Sequence, residues 1–459
     1  MLAYIVLIPG LLAAWIGFKR SPQAAFLLVY LPTLLLLPEY YRLDLPGVPS
    51  PTFSQAAAVG TVAAFFARGA PGYQFSVTDL LVFGFILSAS VSEYFVGGYW
   101  DAQNLAWNLG TWIGLPYLFA KSMIEPFNLR MRFVKTIVLL LAGVAVVSVY
   151  EFRFGATPWR MIFDAFFPWG GRSWVTTFRW GFARTAGPYG HAILAGILMV
   201  VAFRLHRWLE VSQVWAHKPR LAPWLPFSQA RLITLILVAG VIMTMVRGPW
   251  IAAILAAVLV AIGRSRHRGL AIAGGAIGGV VIGIPVISRF VDYVSVGREG
   301  ALTVAQESAA YRWELLSEYG GIAMEKFWFG WGLTSWPAVP GMESIDNYYL
   351  LLLLMHGVLG LGLFVGILLS MLIRLLIRGL KEPHSSPAGS SLSFTLASIY
   401  VVYIVSVGTV YLGLQAVPML FLITGWAEGY LRSTYNVATI PEQSSGSVTT
   451  VSGFRRVLA

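Results

Sequence analysis

Apolar runs recur along the chain, separated by short polar interruptions. Reading each run of roughly 17–25 apolar residues as a helix able to cross a bilayer predicts spans near residues 2–18, 24–38, 53–67, 77–96, 104–120, 133–150, 188–205, 232–246, 249–263, 269–288, 348–373, 391–412 and 414–431. Residues 151–187 and 289–346 interrupt the rhythm as two long loops. The expected organisation is N-terminal transmembrane helices over 1–150, a first outer loop over 151–187, central helices over 188–288, a large outer loop over 289–346, C-terminal helices over 347–432, and a tail over 433–459. The tail is rich in Ser, Thr and Gly, which predicts disorder.

Finer patterns add detail. Between Ala309 and Trp328, the residues Trp313, Leu316, Tyr319, Ala323 and Phe327 recur at helical spacing among charges. This predicts an amphipathic helix lying on the outer membrane face, and Trp159 to Trp169 is a candidate for a second. Gly274, Gly275, Gly278, Gly279 and Gly283 have the small-residue spacing of closely packed helices. Trp100, Trp107, Trp112, Trp174 and Trp180, near span ends, read as interfacial anchors.

Composition agrees. The chain is 57% hydrophobic and 11% charged, against about 25% charged in soluble domains, so lipid must be part of its solvent. The predicted fold class is an all-α integral membrane protein with about 12–13 transmembrane helices. Leu2 to Phe18 is not read as a secretory signal, because its basic residues follow it and many apolar segments come after. The absence of cysteine excludes disulfides and thiolate chemistry. The six histidines are scattered without metal-ligand spacing, so no metal and no cofactor are expected.

Charge sets the orientation. Lys19, Arg20, Arg68, Lys121, Arg130, Arg132, Lys135, Arg204, Arg207, Lys218, Arg220, Arg231, Arg264, Arg266, Arg268, Arg374, Arg378, Lys381, Arg432, Arg455 and Arg456 fall on alternate connections. That side is therefore cytoplasmic. The basic excess follows from this rule and does not call for nucleic acid. The exceptions are Arg42, Arg153, Arg160, Arg172, Arg179, Arg184, Arg247, Arg289, Arg298, Arg312 and Lys326, all placed outside. Pairing with outer acids such as Glu151, Asp164, Asp292 and Glu314 is one account of them. An anion site is the other. Arg184, Arg247, Arg289 and Arg312 lie near outer span ends, at the depth of a lipid-linked pyrophosphate, which arginine grips by bidentate, charge-assisted hydrogen bonds. For Arg247, snorkelling to headgroups is an alternative.

Four pieces resemble the shared core of the O-antigen ligase and O-antigen/exopolysaccharide polymerase superfamily. They are Arg184-Thr-Ala-Gly-Pro-Tyr-Gly-His191, Met243-Thr-Met-Val-Arg-Gly-Pro-Trp250, Ser308-Ala-Ala-Tyr-Arg312-Trp-Glu-Leu with Phe327-Trp-Phe-Gly330-Trp-Gly332-Leu, and Asp346-Asn347 followed by Gly357-Val-Leu-Gly360. Their order matches over about residues 180–375. The resemblance implies a metal-independent glycosyltransferase in the bacterial inner membrane, working at the periplasmic face on an undecaprenyl-pyrophosphate-linked glycan. Arg184 and Arg247 would hold the pyrophosphate, with Arg289 and Arg312 as further cations. Membrane lipids and other polysaccharide assembly proteins are the remaining candidate partners.

The chain departs from the ligases where they carry a histidine before the Asn of the fourth piece. Here the residue is Asp346, and a carboxylate can also serve as the base. Its alternative role is as N-cap of the following helix. Asp346 and Arg312 are thus the catalytic candidates, and His191, Asn347 and Tyr311 are secondary ones. The missing histidine favours a polymerase over a ligase that transfers the glycan to lipid A core. A transporter of anions or lipid-linked sugars is the competing class. The chain shows no internal repeat of the transporter kind and no nucleotide-binding GxxxxGK[ST] loop.

Overall fold

The structure, a computed structural model, describes residues 2–44, 47, 49–167, 176–218, 226–342, 344–382 and 391–433. The expected disordered tail from residue 434 on, with Arg455 and Arg456, lies outside this set, as do Trp169, Arg172, Trp174 and Arg220.

The described chain is almost entirely helical. A 3-10 turn leads into α1 (Ile8–Lys19). Next come α2 (Pro22–Ala25) and α3 (Leu31–Leu36), joined through a π turn into one rod, then α4 (Phe53–Ala67). The long α5 (Val77–Leu109) runs through another π turn into α6 (Leu115–Met123). They are followed by α7 (Arg130–Phe154) and the short α8 (Pro158–Phe163). A hairpin of β1 (Phe178–Arg179) and β2 (Phe182–Ala183) precedes α9 (Ala192–Val211). The chain continues as α10 (Gln229–Met243), α11 (Arg247–Arg264), α12 (Arg268–Val294) and α13 (Val304–Glu325). It closes with α14 (Tyr348–Lys381), α15 (Leu392–Val407) and α16 (Ala416–Arg432). Among the described residues, 6 continuous helical stretches are long and apolar enough to cross a membrane, and shorter apolar helices accompany them. The all-α membrane class expected from composition is what is found.

Two of these helices are bent hairpins. At Gly98 the backbone adopts φ 76°, ψ −164°, a region open essentially to glycine alone. Lys121 nevertheless reaches Asp79 at 2.5 Å. In one straight helix those residues would stand about 63 Å apart, so the chain doubles back at Gly98 and the two expected spans are separate limbs. At Gly357 the angles are φ 62°, ψ −168°, and the rings of Tyr348 and Phe364 lie 5.4 Å apart where a straight helix would separate them by about 24 Å. The expected span 348–373 is therefore a short limb and a long one folded toward each other.

A bend exposes backbone groups that lipid cannot satisfy. The segment after α13 closes this one. Trp331 N donates to Leu354 O (2.7 Å), Gly332 N to Met355 O (3.0 Å), and Val358 N to Phe327 O (2.7 Å). The Ser92 hydroxyl donates to Met355 O (2.8 Å). The approach is so close that a Cβ on Gly357 would lie 2.4 Å from the Trp328 carbonyl, and one on Gly330 would lie 2.5 Å from Leu354 O.

The helix predicted over 309–328 forms as α13, and one side of it packs on protein. In α13, Leu315, Tyr319 and Ala323 are buried against Leu350 and Leu354 on the short limb of α14, because the fold offers an apolar protein surface there. Trp313 and Leu316 stay largely exposed. The glycine stripe of α12 packs against no described helix: a Cβ at any of its five positions would meet nothing within 4 Å, and the buried residues of α12 are Arg268 and Val294, at its two ends. The second amphipathic candidate shortens to α8, whose Trp159 donates its indole N–H to Leu36 O at 2.7 Å.

The charges assigned to the cytoplasmic side gather at one end of the bundle. Glu428 accepts from Thr78 (2.7 Å), Arg374 (2.7 Å) and Arg432 (3.0 Å). Arg130 pairs with Glu125 at 2.6 Å, and Tyr430 donates to Glu382 at 2.6 Å. We expect Gly357→Ala to lower stability by about 1–3 kcal/mol, the usual cost of forcing such a backbone region. Gly362→Ala, in open helix, should be neutral or gain about 0.5–1 kcal/mol. Thermal unfolding in detergent compares the two.

Candidate functional site

The sequence pieces between α10 and α14 meet at the end of the bundle opposite that ion-pair network. Arg247 is the first residue of α11, preceded by the extended Val246. It is exposed, and no described residue bonds to its guanidinium. Gly248 approaches the connection between α15 and α16 so closely that a Cβ there would lie 2.8 Å from the Thr409 hydroxyl. The neighbouring Gly408 belongs to the wall of a cavity of about 180 Å³. Arg312 and Trp313 of α13, Asp346 and Asn347 before α14, and Phe290 of α12 also line it. Residues from four separate stretches thus share one small space.

The short limb of α14 sets the geometry of the acidic wall. Its N-cap is Asn347, whose side-chain oxygen accepts from Tyr349 N (3.0 Å) and Leu350 N (3.2 Å). The capping role considered for Asp346 therefore falls to its neighbour. The Asp346 carboxylate, half-buried, accepts the Ser344 hydroxyl at 2.8 Å and faces the same cavity as Arg312. Tyr311 donates to Ser344 O at 2.7 Å and carries Arg298 over its ring at 5.4 Å, so it ties α13 to the segment leading into Asp346.

Arg184 reaches this end by backbone pairing. Thr185 N donates to Met243 O (3.2 Å), and the neighbouring Arg179 donates to Met245 O (2.7 Å). Both bonds join the β hairpin to the turn that precedes Arg247. Arg184 itself is half-buried, with its Nη1 donating to the Thr177 hydroxyl at 3.3 Å and its Nε left without an acceptor. Burial, followed by the nearby Arg179, pushes its guanidinium below the ordinary pKa. Both causes act against a positive charge, so a bound anion would relieve both.

The arginines expected on the outer side now sort by use. Arg298 pairs with Glu314 at 2.6 Å, and Arg160 with Asp164 at 3.3 Å. These two fit the ion-pair account. Arg184 and Arg247 do not. Arg289 is exposed on α12, and the cavity takes its neighbour Phe290 instead. His191 caps α9, its Nδ1 accepting from Ile193 N at 3.1 Å.

Two contributors were not singled out by the sequence. The buried Glu151 carboxylate accepts from Ala186 N (3.0 Å) and Gly187 N (2.8 Å), which anchors the loop carrying Arg184. Its only sequence signal is an acid at the end of an apolar span. Arg42 stands over the Trp112 ring at 5.6 Å and within electrostatic reach of Tyr411, whose ring lies 5.9 Å from that of Tyr348. Its signal was its place among the outer cations.

Residues 232–365 match the family model described as O-antigen ligase. That segment is therefore similar to the O-antigen ligase family, and it holds the residues lining the cavity except Gly408. It spans Arg247, Arg289, Arg312, Asp346 and Asn347, whereas Arg184 and His191 precede it. A search of the curated proteins finds no match.

Because Asn347 is the cap, Asn347→Ala should cost about 1 kcal/mol, while Asp346→Ala should change stability by no more than about 0.5 kcal/mol. Thermal melts of the two purified variants check this.

Proposed function

We propose that the protein is a membrane glycosyltransferase that polymerises undecaprenyl-pyrophosphate-linked repeat units into O-antigen or exopolysaccharide at the periplasmic face of the inner membrane. The observation that carries this reading is the cavity that Arg312 and Asp346 both line; Gly248, next to Arg247, packs close to Thr409, and Thr185, next to Arg184, bonds to Met243 in the turn before Arg247. One wall offers positive charge for a diphosphate, and the other offers a carboxylate.

In this reading Arg184 and Arg247 grip the pyrophosphate of the donor, and Arg312 provides a third contact. The Asp346 carboxylate takes the proton of an acceptor hydroxyl as its oxygen bonds to the anomeric carbon of the donor's first sugar. The bond from that carbon to the pyrophosphate oxygen breaks. The lipid pyrophosphate leaves with the electron pair, its charge balanced by the arginines. Arg289 is at most a peripheral attractant. Transfer of the glycan to lipid A core or another acceptor uses the same chemistry with a different acceptor.

Arg184→Ala and Arg247→Ala should each abolish long-chain polysaccharide in a complemented deletion strain while the protein still inserts. Normal polymer from both variants would overturn the assignment. Asp346→Asn should slow turnover by about 10²–10⁴-fold, the usual contribution of a general base, as measured with lipid-linked donor in vitro. Single repeat units accumulating on lipid in the deletion strain identify a polymerase, and full-length lipid-linked chains identify a ligase.

A further inference from the structure

A larger cavity lies away from the site just described. A groove of about 630 Å³ runs between α7 and α10 and under the segment that follows α9. Leu139, Gly143 and Val146 form one wall, and Leu232 and Ile236 form the other. Gly143 leaves its floor open, since a Cβ there would meet nothing within 4 Å. Lys135 and Trp215 stand at one end, the ammonium 5.4 Å from the ring centroid.

Three features fit one occupant. First, the groove is graded: Lys135 lies in the second turn of α7, and the apolar wall descends from it into the span. Second, the length matches a single leaflet. From Lys135 to Val146 is about 16 Å along the helix, close to half of a hydrocarbon core about 30 Å thick. Third, the charge is one-sided. No acid lines the groove, Lys135 is in no ion pair among the described residues, and Arg132 lies one turn away on the same face. We propose that this groove binds one acyl chain of an anionic phospholipid, with the lipid phosphate held by Lys135 beside Trp215. A cation at headgroup depth favours anionic over zwitterionic lipid. The site stands at the cytoplasmic end of α7 and α10 by the distribution of basic residues, far from the Arg312–Asp346 cavity, and does not depend on the glycosyltransferase reading.

The test is native mass spectrometry of the detergent-solubilised full chain, delipidated and then titrated with dioleoylphosphatidylglycerol or dioleoylphosphatidylcholine. One molecule of phosphatidylglycerol should be retained, about fivefold more tightly than phosphatidylcholine, and Lys135→Gln should remove that preference. Gly143→Phe, and Ile236→Trp from the opposite wall, should each abolish the retained lipid. The second variant keeps the test open should the first fail to fold. Equal retention of the two lipids, or retention that survives both groove-filling variants, overturns the proposal. Displacement of phosphatidylglycerol by an equimolar polyprenyl phosphate also overturns it, by assigning the groove to a different lipid.

Discussion

The hydrogen bonds that close the break at Gly357 hold the candidate site together. A helix in lipid satisfies its own backbone, and a break leaves donors and acceptors that only protein can meet. Here the main chain of Phe327 to Gly332 meets them, at distances between 2.7 and 3.0 Å for three of the bonds. That contact fixes where the short limb of α14 begins. It therefore places Asn347 as the cap, Asp346 before it, and α13 with Arg312 alongside. The glycines of two separate motifs are explained by this one contact, because side chains at Gly330 or Gly357 would collide with main chain.

The two ends of the bundle use charge differently. At one end, cations and carboxylates neutralise each other within the protein: Lys121 with Asp79, Arg130 with Glu125, Arg374 and Arg432 with Glu428. Such groups link helices, and removing one partner would leave the other uncompensated. At the other end, Arg298 and Arg160 are paired, whereas Arg184 and Arg247 find no acid among the described residues. Arg247 is exposed, whereas Arg184 is half-buried, where a cation without an acid is stabilised by an arriving anion. Glu151 contributes by holding the loop beneath Arg184 through two backbone N–H groups and does not quench its charge.

Much of this was legible in the residues. The apolar runs predict the spans because hydrophobic length against membrane thickness is a local property. The outer arginines stand out because the rule they violate is counted loop by loop. The motif glycines at 330, 332 and 357 take positive φ. Other readings failed where a partner had to be known. The apolar stripe of the helix over 309–328 was visible, but that part of it would meet the short limb of α14 was not. The glycines of α12 have the spacing of a helix interface, yet no described helix lies against them. Asp346 and Asn347 are both competent caps, and a one-residue shift in where the limb starts decides between them.

The sequence by itself determined the class of molecule, the alternation of its loops and the shortlist of cations, since each follows from composition and order along the chain. Only the tertiary structure decided which of those cations lines the cavity beside Asp346. Arg184, Arg247 and Arg312 come from a hairpin, a helix start and a helix interior. Where each of them stands depends on two bends and on main-chain contacts between residues far apart in the chain, and no local pattern encodes such distances.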